Sequence, residues 1–271
     1  MILVLYDSKA SKQLDAAVLK TGIREVLLMM RAASSIFNIV ENLPKVNRLI
    51  SIAGPGSNGG DAYGVAILSA IAGKKTKIYS ISEASGESKK ISDFCCELGV
   101  EKLHSLPEPS EISRNDVIID GLFGSGLNRP PTGHYLDAIT WINVSRRNGA
   151  KVIAIDVPSG LSASNGSTPG VAVKADFTVM CLSSKQGCYT DKAPDLCGKV
   201  LFANLGIEKP ENFTDPTAFL IEDPNYGVIN RPRVGHKGSF GNVLVIGGWP
   251  PMQGAGGMAG LAALRAGAGK V

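Results

Sequence analysis

Apolar residues fall along the chain in short dense runs, separated by longer stretches in which they recur every three or four positions. Dense runs at 48–53, 77–81, 117–119, 151–155, 177–181 and 199–203 predict buried strands. The stretches between them predict helices over 25–41, 62–72, 87–98 and 134–148. Of these, 25–41 is the most apolar, with Val26, Leu27, Met30, Ala33, Ile36, Phe37 and Val40. Before the first strand, Asp7, Ser8 and Ser11 offer N-caps to helical material carrying Leu14, Val18 and Leu19, and Gly22 stops it. Strands alternating with amphipathic helices predict an α/β fold, a three-layer αβα Rossmann-like sandwich with a mostly parallel sheet.

The pattern loosens over 208–232, where Pro210, Pro216, Pro224 and Pro232 predict a linker. It then restarts with a strand at 242–246, a glycine-rich loop at 247–257 and a helix at 258–266. One strand and one helix cannot close a core. The predicted organisation is a domain over 1–213, and over 214–271 a linker with the first βα unit of a second domain that is cut short.

Composition narrows the function. At 44% hydrophobic and 19% charged, the 271 residues are ordinary for a globular chain, and a net charge of +4 with scattered basic residues argues against nucleic acid. Five cysteines, odd in number and without a CxxC pair, predict free thiols in a reducing compartment. His104, His134 and His236 lie too far apart in sequence to suggest zinc. The apolar start, Met1 to Tyr6, is too short for a signal segment, and no run reaches the roughly 20 apolar residues of a membrane span. A cytoplasmic location without membrane attachment is expected.

Candidate chemistry gathers where strands end. Gly54-Pro55-Gly56-Ser57-Asn58-Gly59-Gly60-Asp61 follows the strand at 48–53 and opens a helix, the arrangement of an anion site. Gly54, Gly56 and Gly59 fit G-x-G-x-x-G, with Glu83 at about the distance of a ribose-binding acid. A P-loop is excluded, because Gly60-Asp61 stands where Lys-Ser/Thr should hold phosphate and Mg²⁺. Asp61, placed in the first helical turn, would repel a phosphate and suits a hydroxyl or ribose, unless it only caps the helix. Asp120 and Asp156 each close a strand and open a loop, at the sheet edge where α/β proteins bind ligands. Asn58, Asp120 and Ser159 together offer hard oxygens with one formal charge, which suits a monovalent cation better than Mg²⁺ or Ca²⁺. Each alone also fits a cap or a loop hydrogen bond. Arg129 could meet a phosphate. An ordinary dehydrogenase would need a His, Tyr or Lys relay at these strand ends, and none is evident; a non-catalytic nucleotide-binding module remains the other alternative.

Three segments, 54–61, 120–130 and 156–161, resemble the NAD(P)H-hydrate (NADHX) epimerase family. The likeness continues through Gly170 to Asp176 and Lys185-Gln186-Gly187, covering roughly 8–207. Residues 236–248 and 263–269 resemble the start of the ADP- or ATP-dependent NAD(P)H-hydrate dehydratase, a ribokinase-like fold fused to the epimerase in many prokaryotic proteins. The resemblance implies an isomerase that interconverts the R and S epimers of NADHX or NADPHX in cofactor repair, with no dehydratase activity from these residues. It implies dinucleotide contacts from Ser57, Asn58, Gly59, Gly60 and Asp61, and from Gly124, Ser125, Gly126, Leu127, Asn128, Arg129 and Pro130. Asp156 is the implied substrate-contacting catalytic acid/base. Asn58, Asp120 and Ser159 are the implied ligands of one K⁺ per subunit. Ser57 stands where asparagine is more usual and Ala62 where glycine is, which would narrow the pocket. The apolar helix at 25–41 suggests a homodimer.

Overall fold

The fold was described from a computed structural model, which describes residues 2–127, 129–207, 214–221 and 234–271. The chain forms two compact units, Met1–Glu222 and Asp223–Val271.

The first unit begins with β1 (Ile2–Leu5) and α1 (Ser8–Lys20), and Asp7 caps α1 by accepting from Ala10 N at 2.7 Å. Then follow α2 (Glu25–Glu41), β2 (Arg48–Ala53), α3 (Ser57–Ile71), β3 (Lys75–Ser80), α4 (Glu87–Glu97) and β4 (Glu101–Leu103). The second run is β5 (Asp116–Gly121), α5 (His134–Arg147), β6 (Lys151–Ile155), β7 (Phe177–Cys181), α6 (Ala193–Leu196), β8 (Lys199–Ala203) and β9 (Ala218–Ile221). Seven strands make one sheet in the order β4-β3-β2-β5-β6-β7-β8, every pair parallel. From β2 the chain winds outward one way through β3 and β4, then returns to β5 and winds the other way. The reversal between β2 and β5 opens a crevice at the carboxyl ends of the strands, where such sheets bind ligands.

Strand alternation separates two cores. Leu49 and Ala53 of β2, Val117 and Ile119 of β5, and Ile153 and Ile155 of β6 pack against α2, α3 and α4. Ile50, Ile52, Ile118, Val152 and Ala154 face α5 through Ala138, Ile139 and Ile142. This is the expected three-layer αβα sandwich. The apolar face of α2 is consumed internally: Met29, Ala33, Ile36, Phe37 and Val40 are buried against α3 and its neighbours.

Three expectations change. Glu101–Leu103 adds an edge strand that the pattern did not announce, charged at two of three positions. Residues 218–221, inside the expected linker, form β9 and pair antiparallel with β1, so the boundary lies after residue 222 and not at 213. The remaining linker residues, 208–213 and 222–232, lie outside those described. In the second unit, 242–246 is not a strand: Asn242 makes one isolated bridge to Lys270, and Leu244 and Ile246 are exposed. A β-segment needs a partner strand to pair its backbone, and none is present among the described residues. The expected helix does form, as α7 (Gln253–Ala266).

Candidate active site

Loops at the ends of β2, β5 and β6 enclose a cavity of about 630 Å³, which α1 and α2 cover. Its wall carries Ser57, Asn58 and Asp61 of α3, residues 122–127 and 129–132 of the loop after β5, Tyr135, and Asp156. Lys12 and Asp15 of α1 and Glu25 of α2 complete it.

The β2–α3 turn is shaped by contact with backbone. A Cβ on Gly59 would lie 1.9 Å from the Gly54 carbonyl oxygen, so no larger residue lets the helix start so close to the strand. Gly59 and Gly60 are buried and do not line the cavity; a Cβ on Gly60 would meet Met29 and Ser88 instead. Both glycines thus pack the turn, while Ser57, Asn58 and Asp61 line the cavity. Ala62 is likewise buried, against Gly121, and does not narrow the pocket. Asp61 lies in the second turn of α3, past the capping positions, and opens onto the cavity. Glu83 is exposed and away from the cavity, which removes the dinucleotide-fingerprint reading of the glycines. Asn128 lies outside the described residues, whereas Arg129 and Pro130 line the cavity mouth.

Beneath the cavity the three proposed cation ligands meet. Asp120 is fully buried, accepting from Ser159 N at 2.8 Å and from Ser159 Oγ at 2.6 Å. The Phe123 amide donates to Ser159 Oγ at 2.9 Å, and the Asn58 amide nitrogen donates to the Phe123 carbonyl at 2.9 Å. Burial pushes the Asp120 carboxyl up to about 6, against the pull of its hydrogen bonds from Ser159 and Leu122. Among the described residues no positive side chain pairs with it. A buried carboxylate ringed by neutral oxygens and amides, and lacking a countercharge, fits a monovalent cation.

Asp156 follows β6 in the left-handed region, φ 66°, a conformation uncommon outside glycine. Its amide donates to Val179 O at 2.8 Å, and its carboxylate forms an ion pair with Lys185. Both side chains are buried, 13% and 3% exposed, and Lys185 Nζ also donates to Cys181 O at 2.6 Å. Burial alone would lower the lysine pKa, but Asp156, Asp15 and Cys181 outweigh it and leave it raised. A lysine is thus present at the site, contrary to the sequence expectation. It sits behind Asp156, off the cavity wall, with its charge committed, which is not the placement of a dehydrogenase relay.

Carboxylates crowd the same space. Asp61 is pushed well above the usual carboxylate range, first by burial and then by Asp156, Asp15 and Glu25. Asp15, on the cavity wall, is raised to about 6, again chiefly by desolvation. Glu25 accepts from Ser57 Oγ at 2.6 Å, and Ser8 of α1 donates to the Ser125 carbonyl, tying both helices to the loops. Phe123 and Tyr135 stack with centroids 4.7 Å apart and present flat apolar surface to the cavity. Lys12, Asp15, Glu25, Tyr135 and Lys185 had no sequence motif of their own; only the Lys185-Gln186-Gly187 likeness pointed near one of them.

Residues 25–187 match the family described as YjeF-related protein N-terminus, well over half of the chain. The chain belongs to this family, that of the NAD(P)H-hydrate epimerases. An NAD(P)H-hydrate epimerase of Limosilactobacillus fermentum is 35% identical over 187 residues, 68% of this chain and 87% of that protein. The bifunctional NAD(P)H-hydrate repair enzyme Nnr of Coxiella burnetii is 36% identical over 275 residues, 99% of this chain but 55% of that protein. The chain spans about half the length of the bifunctional family members it matches. The crystal structure of the yeast protein ynu0 shares the fold, with TM-score 0.60 at 19% identity over 70% of this chain and 85% of that one. No helix among the described residues is long and apolar enough to cross a membrane.

Proposed function

We propose that the first unit is an NAD(P)H-hydrate epimerase, acting on NADHX and NADPHX in repair of the nicotinamide cofactor. The observation that carries this is Asp156, ion-paired to Lys185 and set on the wall of a cavity of about 630 Å³ at the carboxyl ends of the strands, in a chain of this family. In the hydrated ring, C6 bears a hydroxyl beside the ring nitrogen. Departure of that hydroxyl leaves an N=C6 iminium, and water returning to either face gives either epimer. An enzyme speeds this by placing a fixed negative charge beside the developing cation, and Asp156 supplies it. Its pairing with Lys185 suits it to that electrostatic role more than to carrying the proton.

Ser57, Asn58, Asp61, residues 124–127 and Arg129-Pro130 would contact the dinucleotide, with Lys12 and Arg129 meeting its phosphates and the Phe123–Tyr135 pair a planar ring. Asn58, Asp120 and Ser159 would hold one K⁺ per subunit, which would neutralise Asp120 and fix the loops it joins. A homodimer belongs to the same reading; Met29, Ala33, Ile36, Phe37 and Val40 of α2 are buried within the unit, while Leu27 stays exposed and open to a partner; mass in solution tests it. Unpaired cysteines suit a cytoplasmic location. Dehydratase chemistry is not assigned to residues 234–271.

Proton NMR of a purified epimer mixed with the protein tests the reading: the second epimer's signals should grow in well ahead of a protein-free sample. Substrate-dependent appearance of NADH absorbance without epimer exchange would favour a dehydrogenase instead.

A further inference from the structure

The cavity holds more acid than stabilising one cationic ring requires, and its two best-placed carboxyls have opposite surroundings. Asp156 is tied to Lys185. Asp61 shares the cavity wall with it, half-buried, and among the described residues its carboxyl makes no hydrogen bond and no ion pair. Neither capping nor a salt bridge explains why an acid stands there, in the second turn of α3. Facing it are Lys12 and Asp15 from α1, Glu25 from α2, Asp156 after β6, Cys181 closing β7, and Lys185 beyond it. Lys185 is spoken for by Asp156 and the Cys181 carbonyl.

We propose that Asp61 is a further catalytic residue, the acid that gives its proton to the departing C6 hydroxyl and takes it back, while Asp156 stays an anion beside the ring. The assignment rests on the epimerase reading. Three carboxylates around a poorly hydrated fourth favour the neutral acid at Asp61, in line with its upward shift. Asp156 has a cation against it and Asp61 has none, a difference in partners that assigns the acid to one and the anion to the other. In the first step the C6–O bond breaks, its electron pair leaves with the oxygen, and the oxygen takes the Asp61 proton and departs as water. The ring nitrogen lone pair closes the N=C6 bond, leaving a cationic ring and an Asp61 carboxylate. Water then adds to the opposite face of C6, the N=C6 electrons return to nitrogen, and the surplus proton goes back to Asp61. Configuration is inverted, the acid is regenerated, and no oxidant or reductant is consumed.

Asp61→Asn keeps the shape and removes the proton. It should lower kcat at least 100-fold, the order of a general acid's contribution, while the Kd of NADH, a probe without the C6 hydroxyl, changes far less than kcat does. Wild-type kcat should fall as pH rises through the Asp61 titration, and the residual rate of Asp61→Asn should lack that fall. Asp15→Asn, which removes a negative neighbour, should move the fall to lower pH without abolishing it. If Asp61→Asn keeps wild-type kcat while Asp156→Asn loses it, this inference is overturned and the epimerase reading stands. If wild-type protein does not exchange the epimers, both fail. Should Asp61→Asn not fold, the wild-type profile decides: a kcat that does not fall as pH rises above the ordinary carboxylate range overturns the assignment.

Discussion

Asp120→Asn isolates the buried charge under the active-site loops. Asp120 has no exposure, three hydrogen bonds from Ser159 and Leu122, and no cationic side chain beside it among the described residues. Burial raises its pKa from 3.8 to about 6. A carboxyl that binds its proton more tightly in the folded state stabilises the fold below the unfolded pKa and loses that contribution as pH rises through the folded value, here about 6. At about 1.36 kcal/mol per unit, the ionised group costs the cation-free protein about 3 kcal/mol above neutrality. A potassium ion held by Asn58, Asp120 and Ser159 would offset most of this, equivalent to roughly 6–12 °C in Tm for a domain of this size. Circular-dichroism melts in potassium chloride and in choline chloride of equal ionic strength would measure it. Wild type should melt higher in potassium at pH 7.5, with the gap closing near pH 5, where Asp120 takes up its own proton. Asp120→Asn should melt alike in both salts and above wild type in choline. A wild type indifferent to potassium, or a variant that keeps the wild-type response, would refute the reasoning.

Lys185→Met strands Asp156 as an unpaired buried charge and should cost about 3–5 kcal/mol in urea denaturation, along with most of kcat. Because the lysine pKa is raised, its contribution is lost only as pH climbs through that raised value, so the variant's deficit should be constant from neutral to mildly alkaline pH. Gly59→Ala drives a methyl to 1.9 Å from the Gly54 oxygen and should destabilise by at least about 2 kcal/mol. Gly56→Ala, with nothing within 4 Å of its added Cβ, should leave Tm within a degree or two. Lys12→Ala and Arg129→Ala should each raise KM about tenfold with kcat little changed, an effect that shrinks with added salt.

The sandwich was legible because β2, β5 and β6 lie between two helical layers and so are apolar on both faces, a signal that survives without knowing the partners. β4 was not, since Glu101-Lys102-Leu103 at the sheet edge has no buried run to show. Val243-Leu244-Val245-Ile246 misled for the converse reason: propensity favours a strand, but pairing decides, and no partner strand is present among the described residues. In the site, Asn58, Asp61, Asp120 and Asp156 could be read because each sits at a strand end or within the first two turns of a helix that its own segment announces. Lys185 could not. It meets Asp156 only because β7 lies beside β6, pairing Ile155 with Val179, and the chain then turns back under the β6 loop. Asp15 and Lys12 reach the cavity by the docking of α1 on the loop around Ser125, a long-range event marked by no local pattern.

Chiral chromatography of purified R-NADHX incubated with the protein in potassium buffer tests the central claim most directly. The S epimer should appear at a rate set by enzyme concentration, reaching equilibrium long before a protein-free control, with Asp156→Asn no faster than that control. Equilibration at the control rate, at every enzyme concentration tried, would contradict the account.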